Sequence, residues 1–204
     1  MLLELLFILI ALSSLAFLYI GSGKNINISV LFIWQILVGI VAYNGYFLNY
    51  PTSFPFTMLI TLGLSFWLIS RININAINQK YLLLLHVHRI PVEYALLLLY
   101  LKSKIPVEMT FLGWNFDILI GLTALFIFIY QWLFTVAVPR KVFILWNIVG
   151  LGFLFFIVSI AVLSSPIPVQ KFGIGRSNIA VLAFPFYLLP TCIVPTVLIS
   201  HSLF

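Results

Sequence analysis

Long apolar runs, separated by short breaks that carry polar residues, Pro or Gly, organise this chain from its first residues onward. About 20 residues of helix cross roughly 30 Å of hydrocarbon, so the pattern predicts spans at 2–20, 28–48, 55–70, 81–101, 114–136, 142–163 and 179–200. Each reads as a helix, because lipid offers the backbone no hydrogen-bond partner and a helix satisfies its own N–H and C=O groups. The third run is the shortest, begins at Pro55, and can be tilted or lie partly in the interface. The first run carries Glu4 where a secretion signal carries Lys or Arg, so it reads as a retained span. The expected fold is therefore all-α and integral to a membrane: one transmembrane domain over residues 1–204, with about seven helices.

Composition excludes the soluble alternative. Of the 204 residues, 64% are hydrophobic and only 7% charged, with a mean hydropathy of +1.24. A soluble domain carries charge on roughly a quarter of its residues, and this chain cannot build that polar shell. The formal net charge of +6 does not indicate a nucleic-acid partner, because the Lys and Arg residues fall singly or in pairs along connecting segments and line no common face. They read as interfacial anchors, and the bilayer itself is the expected partner. The single Cys192 lies in an apolar run and can form neither an intrachain disulfide nor a cysteine metal site.

With seven crossings the loops alternate sides. Lys24, Arg71, Lys80, Arg140 and Lys141 fall on the side of the first, third and fifth loops; Lys102, Lys104, Lys171 and Arg176 fall opposite. The positive-inside rule then leans toward an external N-terminus. The even loops, at 49–55, 102–117 and 164–178, are longer and richer in Pro and Gly. A ligand entrance is expected on that face.

Two internal echoes stand out. LFIWQILVGIV at 31–41 resembles FILWNIVGLGF at 143–153, and SFPF at 53–56 resembles AFPF at 183–186. A repeat of three spans on each side of an inverting fourth, a 3+1+3 arrangement, would produce them. Chance would too, since apolar segments share Phe, Ile, Leu and Trp freely.

Chemistry concentrates in the fourth run, where His86, His88, Arg89 and Glu93 sit at hydrocarbon depth. Insertion of an Arg or Asp at the centre of a span costs about 2.5–3.5 kcal/mol, so such groups face a partner or a wet cavity. His86, Arg89 and Glu93 share one helical face, and Arg89 with Glu93 forms an i,i+4 pair. His88 points elsewhere unless Pro91 kinks the helix. Asn115 and Asp117 at the start of the fifth run complete a polar seam, with Asp117 expected near the mouth and Glu93 deeper. Structural roles fit these residues equally: a neutralised Arg89–Glu93 pair, histidines bonded to neighbouring helices, and a helix cap at Asn115 or Asp117.

No metal site is expected. His86 and His88 stand about 200° apart on a helix, unlike the i,i+4 histidines of a helical zinc motif, and His201 is expected near the far interface. The seventh run has no Lys for a retinal Schiff base, and hydrolase, zinc-protease and phosphate-loop motifs are absent from the sequence, so no cofactor is implied. Gly113, Gly121, Gly150 and Gly152 read as close-packing positions, and Trp34, Trp114, Trp132 and Trp146 as belt and packing residues.

Residues 88–124, HRIPVEYALLLLYLKSKIPVEMTFLGWNFDILIGLTA, resemble an uncharacterised group of small multi-spanning bacterial membrane proteins. The block covers under a fifth of the chain. That group commonly has charged residues where this chain has Leu112 and Trp114, so no charge-based role for the loop follows. The resemblance implies a bacterial source, hence an inner (plasma) membrane, and no particular activity.

Three functions fit the sequence. One is binding or transport of a small solute or proton through the seam, with Glu93 as the titrating carboxylate and Asn115 and Asp117 at its mouth. Another is an intramembrane enzyme acting on a lipid or isoprenoid, with a histidine or Glu93 as general base. The third is a non-catalytic subunit or scaffold. The ligand would be small and polar, or lipid-like.

Overall fold

The computed structural model describes residues 1–136 and 138–204, and among these it is helical with no strand. The helices are α1 (Leu2–Gly21), α2 (Ile28–Tyr43), the single turn α3 (Tyr46–Asn49), α4 (Phe54–Arg71), α5 (Gln79–Val87), α6 (Arg89–Leu101), α7 (Asp117–Phe134), α8 (Arg140–Leu163) and α9 (Val194–Leu203). A π-helical turn, Leu189–Ile193, runs directly into α9. Among the described residues five segments are long and apolar enough to cross a membrane: Leu2–Gly21, Pro51–Arg71, Gln79–Leu101, Asp117–Phe134 and Arg140–Leu163. The third apolar run is therefore of full length once the 3₁₀ turn Pro51–Ser53 that precedes α4 is included.

Two of the seven expected spans are shorter than the apolar pattern implied. The second stops at Tyr43 because Gly45 takes φ +71°, a left-handed turn that ends the helix and starts α3. Its 16 residues rise about 24 Å. The seventh begins at Leu189, since Ala180–Leu182 forms only a 3₁₀ turn and the chain between is irregular. The fifth run likewise starts later than expected, at Asp117, and the fourth is divided at His88.

Loops that follow one another on alternate sides gather at two ends. At one, Asn78 N–H donates to the Gly21 carbonyl (2.8 Å), and the Asn25 amide donates to the Arg71 carbonyl (2.8 Å). At the other, the Arg176 guanidinium lies over the Tyr100 ring (5.1 Å), and Trp114 meets Phe172 edge to face (5.4 Å). The first set of contacts joins the segments after α1 and α4, and the second joins those after α6 and α8.

Side-chain amides tie the divided last segment to its neighbours. Gln35 of α2 donates to the Thr191 carbonyl (2.7 Å) and accepts from the Thr191 hydroxyl (2.8 Å). Asn147 of α8 donates to the His201 carbonyl (2.8 Å). Beside them the indole N–H groups of Trp34 and Trp146 donate to Thr61 and Thr123, each at 2.8 Å. The paired Trp–amide positions of the sequence echo thus make comparable contacts, on α4 and α7 respectively.

Glycines permit the closest approaches. A Cβ on Gly121 would lie 2.9 Å from Ile90 Cγ1 and 3.1 Å from its backbone nitrogen, whereas one on Gly152 meets nothing within 4 Å. Gly121→Ala is expected to cost about 1–3 kcal/mol and lower the unfolding temperature in detergent, while Gly152→Ala leaves it unchanged or slightly raised. Equal effects would place the α6–α7 contact elsewhere.

Candidate functional site

The break in the fourth run aims its polar groups. Pro91 has no N–H to offer the Val87 carbonyl, and its ring crowds the preceding turn. The chain tightens at His88, whose N–H bonds Leu85 O at 3.2 Å, and the α-helical pattern resumes with Val92 N–H on His88 O at 3.1 Å. His88 swings toward α1, where its ring stacks on Phe17 (5.1 Å), with Ser14 Oγ at 2.9 Å from Nδ1 and Ser13 Oγ at 3.3 Å from Nε2. This is a helix-to-helix tether separate from the remaining seam. His86, Arg89 and Glu93 face α7, α8 and α9.

Arg89 does not pair with Glu93. Its Nη1 donates to Asp117 Oδ1 at 2.8 Å, and Nη2 lies 2.8 Å from His201 Nε2. The i,i+4 pairing fails because the start of α7 brings a second carboxylate closer. Gly121 packs on Arg89 and Ile90, so the first turn of α7 stands beside Glu93. That is roughly 12 Å below the end of α6 at 1.5 Å per residue. Asp117 is therefore deep, not at a mouth, and the positive end of the α7 dipole supports its charge.

The segment between α6 and α7 folds inward to reach this point. Ile105, Met109, Thr110 and Asn115 are buried, and a Cβ on Gly113 would clash with the Val107 carbonyl oxygen. Gly113 thus serves the tight fold of this loop and not helix packing. Asn115 is the hinge of the arrangement. Its Oδ1 accepts from Asp117 N–H (3.1 Å), while its Nδ2 donates to Glu93 Oε1 (2.6 Å) and to the Met109 carbonyl (3.2 Å).

His201 joins the cluster, contrary to its expected place at an interface, because the last turn of α9 packs beside Arg89 and His86. A guanidinium only donates, so His201 Nε2 must accept and the ring proton sits on Nδ1, where it donates to Asn147 Oδ1. His86 lies 4.2 Å from His201, centroid to centroid, with Nε2 at 3.1 Å from Ser200 Oγ. Beyond them Trp146, Phe143 and Phe204 pack into an aromatic wall, His86 to Trp146 at 5.3 Å and Phe143 to Phe204 at 4.8 Å. His201, Asn147, Ser200 and the Gly150 carbonyl, 3.4 Å from Arg89 Nη1, were not singled out by sequence as parts of this site. A histidine and an Asn within apolar runs were the available signals.

A cavity of about 70 Å³ borders the cluster. Arg89, Glu93, Asn115 and Asp117 form its polar wall, and the rest is apolar, including Met58, Leu154, Val158 and Val197. Roughly 10–15 Å³ of such space suffices for a water, so the chamber admits a few waters or one small head group. Glu93 is 2% exposed, yet its Oε2 has no protein partner, and neither do Arg89 Nε and His86 Nδ1. Arg89 and Asp117 cancel, leaving Glu93 without a counter-charge; a buried carboxyl in that position holds a proton or meets a donor ligand. Among the described residues no three His, Cys, Asp or Glu side chains converge as a metal site.

The two carboxylates are expected to separate on mutation. Asp117→Ala strands the Arg89 charge and should cost about 3–5 kcal/mol, read as a large fall in unfolding temperature. Glu93→Gln removes a carboxyl that has no counter-charge and should leave that temperature unchanged or raised. A reversed order would assign the Arg89 pairing to Glu93.

No protein-family model, curated protein or solved structure matches the chain, so the functional reading rests on this geometry.

Proposed function

We propose that the chain is an integral membrane protein with seven crossings that binds a small polar solute or a proton at Glu93 and moves it by switching between two packings of the bundle. The observation that carries this reading is the buried Glu93 carboxyl, bonded on one oxygen by Asn115 and facing a chamber with the other free. A carboxyl kept at hydrocarbon depth without a counter-charge costs stability and is explained most directly by use. The folded 102–116 segment covers the chamber on the even-loop side through Met109 and Asn115, and in this proposal the bundle is in a state closed on that side. Two irregular elements border the chamber, the break at His88 and the π-turn containing Leu189, Pro190 and Ile193. Such interruptions are common sites of rearrangement.

The Ile28–Tyr43 and Leu189–Leu203 helices are the second and seventh crossings in this proposal, their shorter length accommodated by local thinning or by flanking loops. The resemblance of residues 88–124 favours a bacterial plasma membrane, and the basic residues of the odd loops favour an external N-terminus. A second reading, an intramembrane enzyme or carrier for a lipid, draws support from an apolar groove between α4 and α8 that adjoins the chamber.

In proteoliposomes carrying an internal pH dye, Glu93→Gln is expected to abolish Glu93-dependent proton flux while retaining the wild-type unfolding temperature. Flux equal to wild type, or an unfolded variant, would assign Glu93 a structural role. Sidedness is separately measurable because Cys192 is buried. An impermeant maleimide applied to intact cells should label Val169→Cys and not Ile26→Cys; the opposite result would invert the orientation.

A further inference from the structure

The polar chamber has a neighbour on the surface of the bundle. A groove of about 280 Å³ runs between α4 and α8, lined by Phe54, Leu62, Val162 and Leu182 among others, and Met58 and Val158 stand in the walls of both spaces. The groove exists because α4 packs chiefly on α9 and only weakly on α8. Its rim residue Leu59 is 64% exposed, and in a bilayer it would meet acyl chains. An apolar slot open to lipid thus leads past two side chains to a buried carboxyl.

We propose that this groove is a lateral portal for an uncharged, hydroxyl-headed, single-chain amphiphile, a long-chain or isoprenoid alcohol, whose head sits at Glu93 and whose tail lies between α4 and α8. The proposal rests on the Glu93 chamber argued above and names its ligand class. The head chemistry follows from the unpartnered atoms. Glu93 Oε2 and Arg89 Nε lack protein partners, and both residues line the chamber. A hydroxyl can donate to a carboxylate or accept from a carboxylic acid, so it serves either protonation state of Glu93, and it can accept from the Arg89 Nε–H. A phosphate or carboxylate head is disfavoured, since the chamber wall carries Glu93 and Asp117 against the single Arg89, which Asp117 already engages. The chamber volume of about 70 Å³ excludes a glycerophospholipid head. The tail follows from the groove, whose walls offer no charged group along its length.

The test uses the full chain in lipid nanodiscs with a dodecanol that carries a diazirine a few carbons from its hydroxyl. Photolabelling is expected on peptides containing Met58 and Val158, competed by farnesol and dodecanol and not by dodecyl phosphate. Val158→Trp, which fills the portal, should reduce labelling roughly tenfold, and Glu93→Gln several-fold, as expected for loss of one buried polar contact. Leu59→Trp, on the exposed rim, provides a second block in case Val158→Trp does not fold. Labelling spread over the outer faces of all helices, or undiminished in both tryptophan variants, would overturn the portal. Equal competition by dodecyl phosphate would overturn the head-group assignment. Flux that still depends on Glu93 in either case would leave the chamber standing and reject only its lateral ligand.

Discussion

A guanidinium that is 4% exposed inside an apolar bundle needs an anion held against it, and in this chain the anion is Asp117 at 2.8 Å. The interior follows from that requirement. To bring Asp117 beside Arg89, α7 has to begin well below the end of α6, so the intervening segment cannot simply cross the surface and folds inward. Irregular backbone at that depth is tolerated where protein surrounds it, and Asn115 supplies much of the compensation by bonding Asp117 N–H, the Met109 carbonyl and Glu93 together. Arg89 also fixes His201, whose tautomer is then set by Asn147. One charge thus orients four helices.

With Arg89 committed to Asp117, Glu93 is left with a hydrogen bond from an amide and no cation. A buried ion pair is weak evidence of function, because its members neutralise each other. A buried carboxyl outside the pair is different, since nothing in the packing accounts for its charge. The chamber beside it has polar atoms on one wall and apolar side chains on the others, the usual character of a binding pocket. The folded loop covers it at one end, and the weak α4–α8 packing leaves its flank the least protected.

The helical runs were readable from hydropathy because most of the chain's polarity is confined to the breaks. Where helices stop was less readable. Gly45 ends α2 through its backbone, and the break at His88 depends on Pro91, a signal present in the sequence but ambiguous between a kink and a boundary. Among the described residues five helices are of membrane-crossing length where seven spans were expected, since apolar composition continues through turns that helix does not.

In the seam, spacing along one helix brought out His86, Arg89 and Glu93 as a shared face, and the structure gathers them with Asn115 and Asp117. The pairing itself was not legible. An i,i+4 relation describes neighbours on an isolated helix, and Asp117 competes only when a neighbouring helix brings it near. His88, the closest residue in sequence, turns away to Ser13 and Ser14, while His201, more than a hundred positions distant, bonds Arg89 directly. Contacts of that separation follow from the packing of α9 against α5 and α8.

The most direct measurement is an experimental structure of the purified chain in lipid, at a resolution that shows ordered water around Glu93. On this account Arg89 bonds Asp117 and His201, and water or a ligand head occupies the chamber against Glu93 Oε2. A dry chamber with Arg89 bridged to Glu93 would contradict it and leave the seam as internal scaffolding.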